Sequence, residues 1–80
     1  MKKFESIYNK LDAIWEQIDE LIGELEEKQS AIEDNAYEHD RDMTDREQER
    51  YDEIDEQLDA LRECQDNIDS AKYSIEEYTD

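Results

Sequence analysis

Residues 4–25 read FESIYNKLDAIWEQIDELIGEL, and apolar side chains recur in this stretch at intervals of three and four positions. Two of the apolar rows each repeat every seven residues. The first row is Phe4, Leu11, Ile18, Leu25 and Ile32, and the second is Ile7, Ile14 and Leu21, continued by Lys28 and Asn35. We interpret these rows as the a and d positions of a heptad pattern, which predicts a long helix with a coiled-coil seam over residues 3–37.

A third row with the same spacing contains Tyr8, Trp15 and Ile22, followed by Gln29 and Ala36. In this heptad frame it occupies the e positions. Two helices that pack only on each other need an a and d stripe, so the third row is surplus in an isolated hairpin. We therefore expect Tyr8, Trp15 and Ile22 to form an apolar interface with another chain. A homodimeric four-helix bundle is the first expectation, and a monomer that presents this row to a different protein is the alternative.

The second half of the chain carries the same period behind a helix start signal. Residues 44–47, TDRE, match a capping box, in which Thr44 accepts from the Glu47 amide and the Glu47 carboxylate accepts from the Thr44 amide. Apolar positions then recur at steps of three and four: Tyr51, Ile54, Leu58, Leu61, Cys64, Ile68, Ala71, Ile75 and Tyr78. The pattern predicts a second helix over residues 45–78, joined to the first by a short polar turn over residues 38–44.

A short connection between two long helices makes them antiparallel neighbours. If facing residues have numbers that sum to about 82, apolar positions meet apolar positions along nearly the whole length. The end pair is then Phe4 with Tyr78, and a central pair is Ile18 with Cys64. The sequence therefore predicts an all-α protein, a single domain over residues 1–80. Its two long helices form an antiparallel coiled-coil hairpin about 50 Å long, from a rise of about 1.5 Å per residue.

The composition excludes several classes of protein. Asp and Glu number 27 against nine Lys and Arg, which gives a net charge of −18, and there is one cysteine and no proline. No apolar run approaches the length of a membrane span, and the first residues do not lead into a signal peptide. A lone cysteine favours a reducing compartment, so we expect a cytoplasmic protein. The charge opposes direct binding to nucleic acid or to anionic lipid.

The side-chain chemistry of an enzyme is missing from the pattern. Cys64 and His39 are single and far apart, whereas a zinc site needs several such ligands at defined spacing. The acidic residues of the turn give a weak match to a calcium-binding EF-hand loop. Asp45 stands where that loop needs glycine and Tyr51 where it needs glutamate. We expect no enzyme activity, no cofactor and no metal, with weak divalent-ion binding in the turn kept as a minor alternative.

The remaining feature is the excess of carboxylates on the second helix. Like charges three or four residues apart destabilise a helix by about 0.2–0.5 kcal/mol per pair, and a purely structural hairpin would interleave lysine. The carboxylates that we expect to bind a partner are Asp52, Glu53, Glu56, Asp59, Glu63 and Asp66. Tyr8 and Trp15 are candidate aromatic anchors beside them.

Two functions remain open at this point. The first is an acidic interaction module that occupies the basic, nucleic-acid-binding surface of a partner protein, as compact acidic inhibitors of the phage type do when they mimic DNA or RNA. The second is a structural or adaptor coiled coil that acts through its apolar face, with acidity serving only solubility.

Overall fold

The structure, a computed structural model, describes residues 2–79 and is a hairpin of two long helices. Helix α1 spans Lys2–Glu38 and helix α2 spans Asp45–Glu76. The two helices pack against each other along a rod whose Cα atoms extend 59 × 16 × 13 Å. This confirms the all-α hairpin, in which α1 is one residue longer at each end than predicted and α2 ends two residues earlier.

Helix α1 ends in a Schellman motif. The Asp40 amide donates to the Tyr37 carbonyl at 3.0 Å, and the Arg41 amide donates to the Ala36 carbonyl at 3.2 Å. Asp40 adopts the left-handed region, with φ of 50°, at the position that glycine usually occupies. Aspartate is one of the few residues with a side chain that tolerates this conformation, so the chain reverses without glycine or proline.

Helix α2 begins with the predicted capping box. The Glu47 amide donates to Thr44 Oγ1 at 3.1 Å, and the Thr44 amide donates to Glu47 Oε1 at 2.9 Å. Arg41 Nη1 lies 2.6 Å from the same carboxylate, and Asn35 Nδ2 donates to it at 3.0 Å. The Arg41 guanidinium and the Thr44 amide are the main reasons that the pKa of Glu47 falls well below its usual range. One carboxylate therefore joins both helices and the turn.

The predicted facing of the two helices is also observed. The rings of Phe4 and Tyr78 pack with centroids 5.2 Å apart. At the other end of the rod, Asn35 reaches Glu47, so both pairs have numbers that sum to 82. Near the middle of the rod lies a small buried core: Ile22, Leu25 and Leu58, with Ile18, Ile54 and Leu61 packed against it.

The rows of α1 that form the seam differ from the prediction. The first row does face α2, but Ile7, Ile14 and Leu21 of the second row are 51%, 45% and 42% exposed. The seam is completed by the third row: Tyr8, Trp15, Ile22, Gln29 and Ala36 are all buried or half-buried. The prediction that the third row lies outside the seam is therefore wrong.

A physical reason for this choice of rows is visible in the sequence. The second and third rows both lie beside the first at heptad spacing. The second row would bring the charge of Lys28 into the seam near the turn, whereas the third row carries no charged residue. Burying a charge without a partner is costly, and a glutamine such as Gln29 can be buried when it is hydrogen-bonded. Its Nε2 donates to the Tyr51 carbonyl across the seam at 3.2 Å.

Helix α2 shows the same kind of shift in its second half, where the sequence predicts Cys64, Ala71 and Tyr78 in the seam. Cys64 is exposed and Gln65 is buried in its place. Lys72 is half-buried beside Ala71, and Tyr78 is 51% exposed while Thr79 is half-buried. Gln65 Nε2 lies 3.3 Å from the Trp15 carbonyl oxygen and 3.4 Å from Asp19 Oδ1, so a polar group on α1 satisfies it. Gln65 follows Leu58 by seven residues and thus continues the heptad row that Leu58 belongs to.

Candidate interaction surfaces

The buried rows define a heptad frame, and the frame divides the exposed surface of the rod into sides. In an antiparallel pair, the positions that flank the a row of both helices lie together, and so do the positions that flank the d row. The contacts confirm this arrangement. Arg62 and Glu26, which flank the a rows, approach to 3.7 Å. Leu21 and Gln57, which flank the d rows, line one groove.

We call the surface flanking the a rows the acidic side. Over residues 2–79 it carries two cations, Lys2 and Arg62, and thirteen carboxylates. These carboxylates are Glu5, Asp12, Glu16, Asp19, Glu26 and Glu33 of α1 and Asp45, Asp52, Asp55, Asp59, Asp66, Asp69 and Glu76 of α2. Negative charge thus runs along the whole length of this side. It extends over the outer faces of the two helices, which in the described part of the chain carry no cation and seven more carboxylates: Glu20, Glu27, Asp34, Glu49, Glu56, Glu63 and Glu77.

Several α1 carboxylates of the acidic side that lie next to the seam have partners on α2. Lys72 Nζ lies 2.7 Å from Asp12 Oδ1 and 5.0 Å from the centroid of the Tyr8 ring. The bond to Asp12 raises the pKa of Lys72. A hydrogen bond with Glu33 likewise raises the pKa of Tyr51. The carboxylates one row further out point toward solvent, and these are the ones available to a partner.

Five of the six predicted partner-binding carboxylates lie on or beside the acidic side. Asp52, Asp59 and Asp66 form one straight row on it, and Glu56 and Glu63 form the adjacent row on the back of α2. Glu53 points the other way. It lines a groove with Lys28, Arg50 and Gln57, which belong to the opposite side of the rod.

Two exposed tyrosines lie on the acidic side and were not singled out from the sequence as binding residues. Tyr73 is 80% exposed and follows Asp66 in the row of aspartates, and Tyr37 is 86% exposed near the turn. The heptad spacing could have identified Tyr73 as part of the acidic side, since it stands seven residues after Asp66. This spacing places a residue on a side of the rod only when the seam rows have been assigned correctly.

The predicted aromatic anchors lie elsewhere. Trp15 is half-buried in the seam, and its Nε1 is buried without a hydrogen-bond partner. The Tyr8 ring lies beneath Lys72. Ile22 belongs to the buried core. All three side chains are therefore engaged within the hairpin, and the apolar row that faces outward is a different one.

We call the surface flanking the d rows the apolar side. Its α1 residues are Lys3, Ile7, Lys10, Ile14, Gln17, Leu21, Glu24, Lys28, Ala31, Asn35 and Glu38, and its α2 residues are Arg46, Arg50, Glu53, Gln57, Ala60, Cys64, Asn67, Ala71, Ser74 and Tyr78. Five of these are cations and three are carboxylates. A groove of about 440 Å³ opens on this side, lined by Leu21, Leu25, Gln57, Ala60 and Leu61.

Residues 2–79 contain no group of three or more His, Cys, Asp or Glu side chains placed to hold a metal ion. His39 Nδ1 lies 2.7 Å from the Asn35 carbonyl oxygen. Neither described helix combines the length and the apolar character needed to cross a membrane.

Comparison of the chain with protein-family models, with curated proteins and with solved structures gives no match. The function is therefore inferred from the residues of this chain and from where the hairpin places them.

Proposed function

We propose that the protein is a non-catalytic interaction module whose acidic side occupies the basic, nucleic-acid-binding surface of a partner protein. The observation that supports this most strongly is the segregation of charge. The acidic side has thirteen carboxylates against two cations, whereas the apolar side has three carboxylates against five cations. Solubility alone would be served by carboxylates spread over every side. Here they are depleted from the apolar side and crowded on the rest of the rod, which adds like-charge repulsion within each helix.

The density of charge suits a surface that normally holds a nucleic acid. A net charge of −18 over a rod of 59 Å is about one charge per 3.3 Å, roughly half the density of duplex DNA, which carries one per 1.7 Å. Within the row formed by Asp52, Asp59 and Asp66, the repeat is about 10.5 Å, and carboxylates of neighbouring rows fill the intervals. The complement of such a surface is a groove lined with Lys and Arg, where charge-assisted hydrogen bonds form.

Tyr37 and Tyr73 add a second kind of contact. Tyrosine is enriched among the residues that contribute most to binding at protein interfaces, because it combines a large apolar ring with a polar end. Nucleic-acid-binding grooves commonly present aromatic and arginine side chains that stack on bases, and an exposed tyrosine ring offers a comparable flat surface. The two rings lie at opposite ends of the acidic side, so they would bracket the carboxylates between them.

The test uses two variants with the same net charge of −15. In the first, Asp52→Asn, Asp59→Asn and Asp66→Asn neutralise the outward row of the acidic side. In the second, Glu24→Gln, Glu38→Gln and Glu53→Gln neutralise the carboxylates of the apolar side. The native chain and both variants are immobilised, incubated with extract of a candidate host, and the retained proteins are identified by mass spectrometry. Each retained protein is then purified, and displacement of a labelled DNA or RNA oligonucleotide from it is measured.

We expect the native chain and the apolar-side variant to displace the oligonucleotide alike, and the acidic-side variant to do so at least tenfold less well. Each charge-assisted hydrogen bond contributes about 1.5–3 kcal/mol, and 1.4 kcal/mol corresponds to a factor of ten in affinity. Direct binding of the native chain to the retained protein, measured without the oligonucleotide, should also weaken as salt is raised. Equal loss in both variants, or retained proteins that bind no nucleic acid, would overturn the proposal.

A second candidate function is supported by the exposed row of Ile7, Ile14 and Leu21. An adaptor coiled coil would use this row to hold another helical segment, with acidity serving solubility. In that case Ile14→Gln abolishes binding of the partner, while neutralising Asp52, Asp59 and Asp66 changes it little. The two functions therefore give opposite results in the same assay.

A further inference from the structure

The apolar side presents a surface shaped for close approach of another helix pair. Ile7, Ile14 and Leu21 lie on the outer surface of α1, and each is about half exposed. The α2 residues beside them include Ala60, which lines the groove with Leu21, together with Cys64 and Ala71. The small side chains of α2 allow close approach of a facing helix, and the larger ones of α1 supply apolar area that such a contact would bury.

Charge restricts what can cover this surface. Over residues 2–79, the apolar side is the one on which cations outnumber carboxylates, so it is the side where an acidic rod is repelled least. A second copy of the chain carries the same net charge of −18 and can approach this side while its own acidic side points away. A strongly basic partner would instead be drawn to the acidic side.

The order of charges along α1 specifies an orientation. If facing residues of two antiparallel copies have numbers that sum to about 28, Ile14 meets Ile14 and Ile7 meets Leu21. In the adjacent row, Lys3 then meets Glu24, an opposite charge, and Lys10 meets Gln17, a neutral side chain.

The residues of α2 also pair favourably when the two copies are arranged in this antiparallel register. The pairs that fall opposite each other are Cys64 with Ala71, Gln57 with Tyr78, and Asn67 with itself. Like charges do not face each other across the contact, and Lys28, Arg46 and Arg50 lie beyond the overlap near each turn. The alternative, with a two-fold axis along the rod, would gather Lys28 and Arg50 of both copies at the same end, with Glu53 as the one carboxylate among them.

We infer that a second copy of the chain covers the apolar side, antiparallel to the first, with Ile14 of the two copies at the two-fold axis. The overlap of about 25 residues is about 38 Å long at 1.5 Å per residue. With the rod's width of 16 Å, each copy contributes roughly 600 Å². The total of roughly 1,200 Å² is at the lower limit for a specific interface. The dimer is therefore expected to depend on concentration.

The dimer also predicts an unusual response to salt. Two chains of charge −18 repel each other at long range, and salt screens that repulsion while leaving the apolar contact intact. Dimerisation should therefore strengthen as salt is raised, whereas binding of a basic partner to the acidic side should weaken. The opposite signs make this inference independent of the proposed function.

The experiment uses single cysteines in a Cys64→Ser background: Ile7→Cys, Ile14→Cys and Leu21→Cys. Each protein is treated with diamide, which oxidises two thiols to a disulfide, and the covalent dimer is measured on a non-reducing gel. A disulfide requires Cα atoms within about 7 Å, so residues at the two-fold axis crosslink and residues about 20 Å apart do not. We expect a strong dimer band for Ile14→Cys alone, and a dimer for the double variant Ile7→Cys/Leu21→Cys.

Similar crosslinking of all three single variants would overturn the orientation, and absence of crosslinking in all of them would overturn the dimer. Sedimentation equilibrium supplies the second measurement. The native chain should shift from 9.7 kDa toward twice that mass as concentration and salt rise. Ile14→Glu should stay monomeric while keeping its helix content by circular dichroism, because Ile14 does not lie in the seam of its own hairpin. A native chain that stays at the monomer mass under all conditions would refute the inference.

Discussion

The acidic side and the apolar side belong to the same two helices and flank the same seam, yet their surfaces have opposite physical character. One holds carboxylates at heptad spacing along the rod, and the other holds an exposed apolar row with scattered charges of both signs. Binding at the first should be driven by ion pairing, and binding at the second by apolar burial. The position of the charges, more than their number, therefore determines what each surface can bind.

The largest expected effect concerns the seam on which both sides depend. Leu58→Ala removes a side chain that is 2% exposed in the core, and we expect a loss of about 2–5 kcal/mol in the free energy of unfolding. Leu21→Ala removes the same atoms from the exposed row of the apolar side and should cost far less. Urea unfolding followed by circular dichroism, at a concentration where the chain is monomeric, measures both. Equal losses would mean that the two rows are buried alike, which contradicts the assignment of Leu58 to the seam and of Leu21 to the exposed row.

An intermediate effect concerns the turn and its dependence on pH. The Arg41 guanidinium is the main cause of the lowered pKa of Glu47 in the folded chain. Because the ordinary pKa of glutamate is about 4.3, the stabilisation is complete above that value and is lost as pH falls below it. Native protein should therefore lose more stability than Glu47→Gln does between pH 6 and pH 3, as measured by thermal unfolding.

Glu49→Gln is the matched control for Glu47→Gln, since Glu49 is an exposed glutamate two residues further along α2. Its pH dependence should follow that of the native protein. If Glu49→Gln flattens the pH profile as much as Glu47→Gln, general repulsion among carboxylates, and not the turn, governs the acid response.

The smallest expected effect sharpens the contrast between the sides. Asp59 has three carboxylates, Asp55, Glu56 and Glu63, and one cation, Arg62, three or four residues away on α2. Asp59→Asn removes three repulsive pairs and one attractive pair, so it should raise stability by a net of two pairs at about 0.2–0.5 kcal/mol each. Glu53→Gln, on the apolar side, removes repulsion from Glu49 and Glu56 but also attraction to Arg50 and to Lys28 in the same groove, so its net effect should be near zero. Thermal unfolding at low salt measures both, and an equal gain from the two variants would show that repulsion is spread evenly around the rod.

Much of the fold could be predicted from the sequence because its signals are local and mutually consistent. The capping box at Thr44 and Glu47 specified where α2 begins, and the period of seven specified two helices. The sum of 82 placed Phe4 against Tyr78, as observed. These features depend on residue spacing along one helix or across one short turn, which the sequence contains directly.

The assignment of the seam could not be made from spacing alone. The row of Ile7 and the row of Tyr8 lie on either side of the same neighbouring row, and both satisfy heptad spacing. The decisive contributions are buried polar contacts. Gln65 replaces Cys64 in the seam because acceptors on α1 satisfy its amide, and no pattern of apolar residues reveals an acceptor on another helix. An incorrect seam row also misplaces the candidate apolar interface. The row of Tyr8 is then expected to face outward and the row of Ile7 to face inward, which is the reverse of what is observed.

The protein has one tryptophan, and its position provides an intrinsic optical reporter. The indole of Trp15 lies between the helices, and its Nε1 is shielded from water. The backbone carbonyl of Trp15 accepts a hydrogen bond from Gln65 Nε2 of α2. Its fluorescence should shift to longer wavelength when the helices separate, while occupation of either outer surface leaves the emission nearly unchanged. The tryptophan fluorescence of unlabelled protein can therefore distinguish a ligand that binds to the intact rod from one that separates the helices.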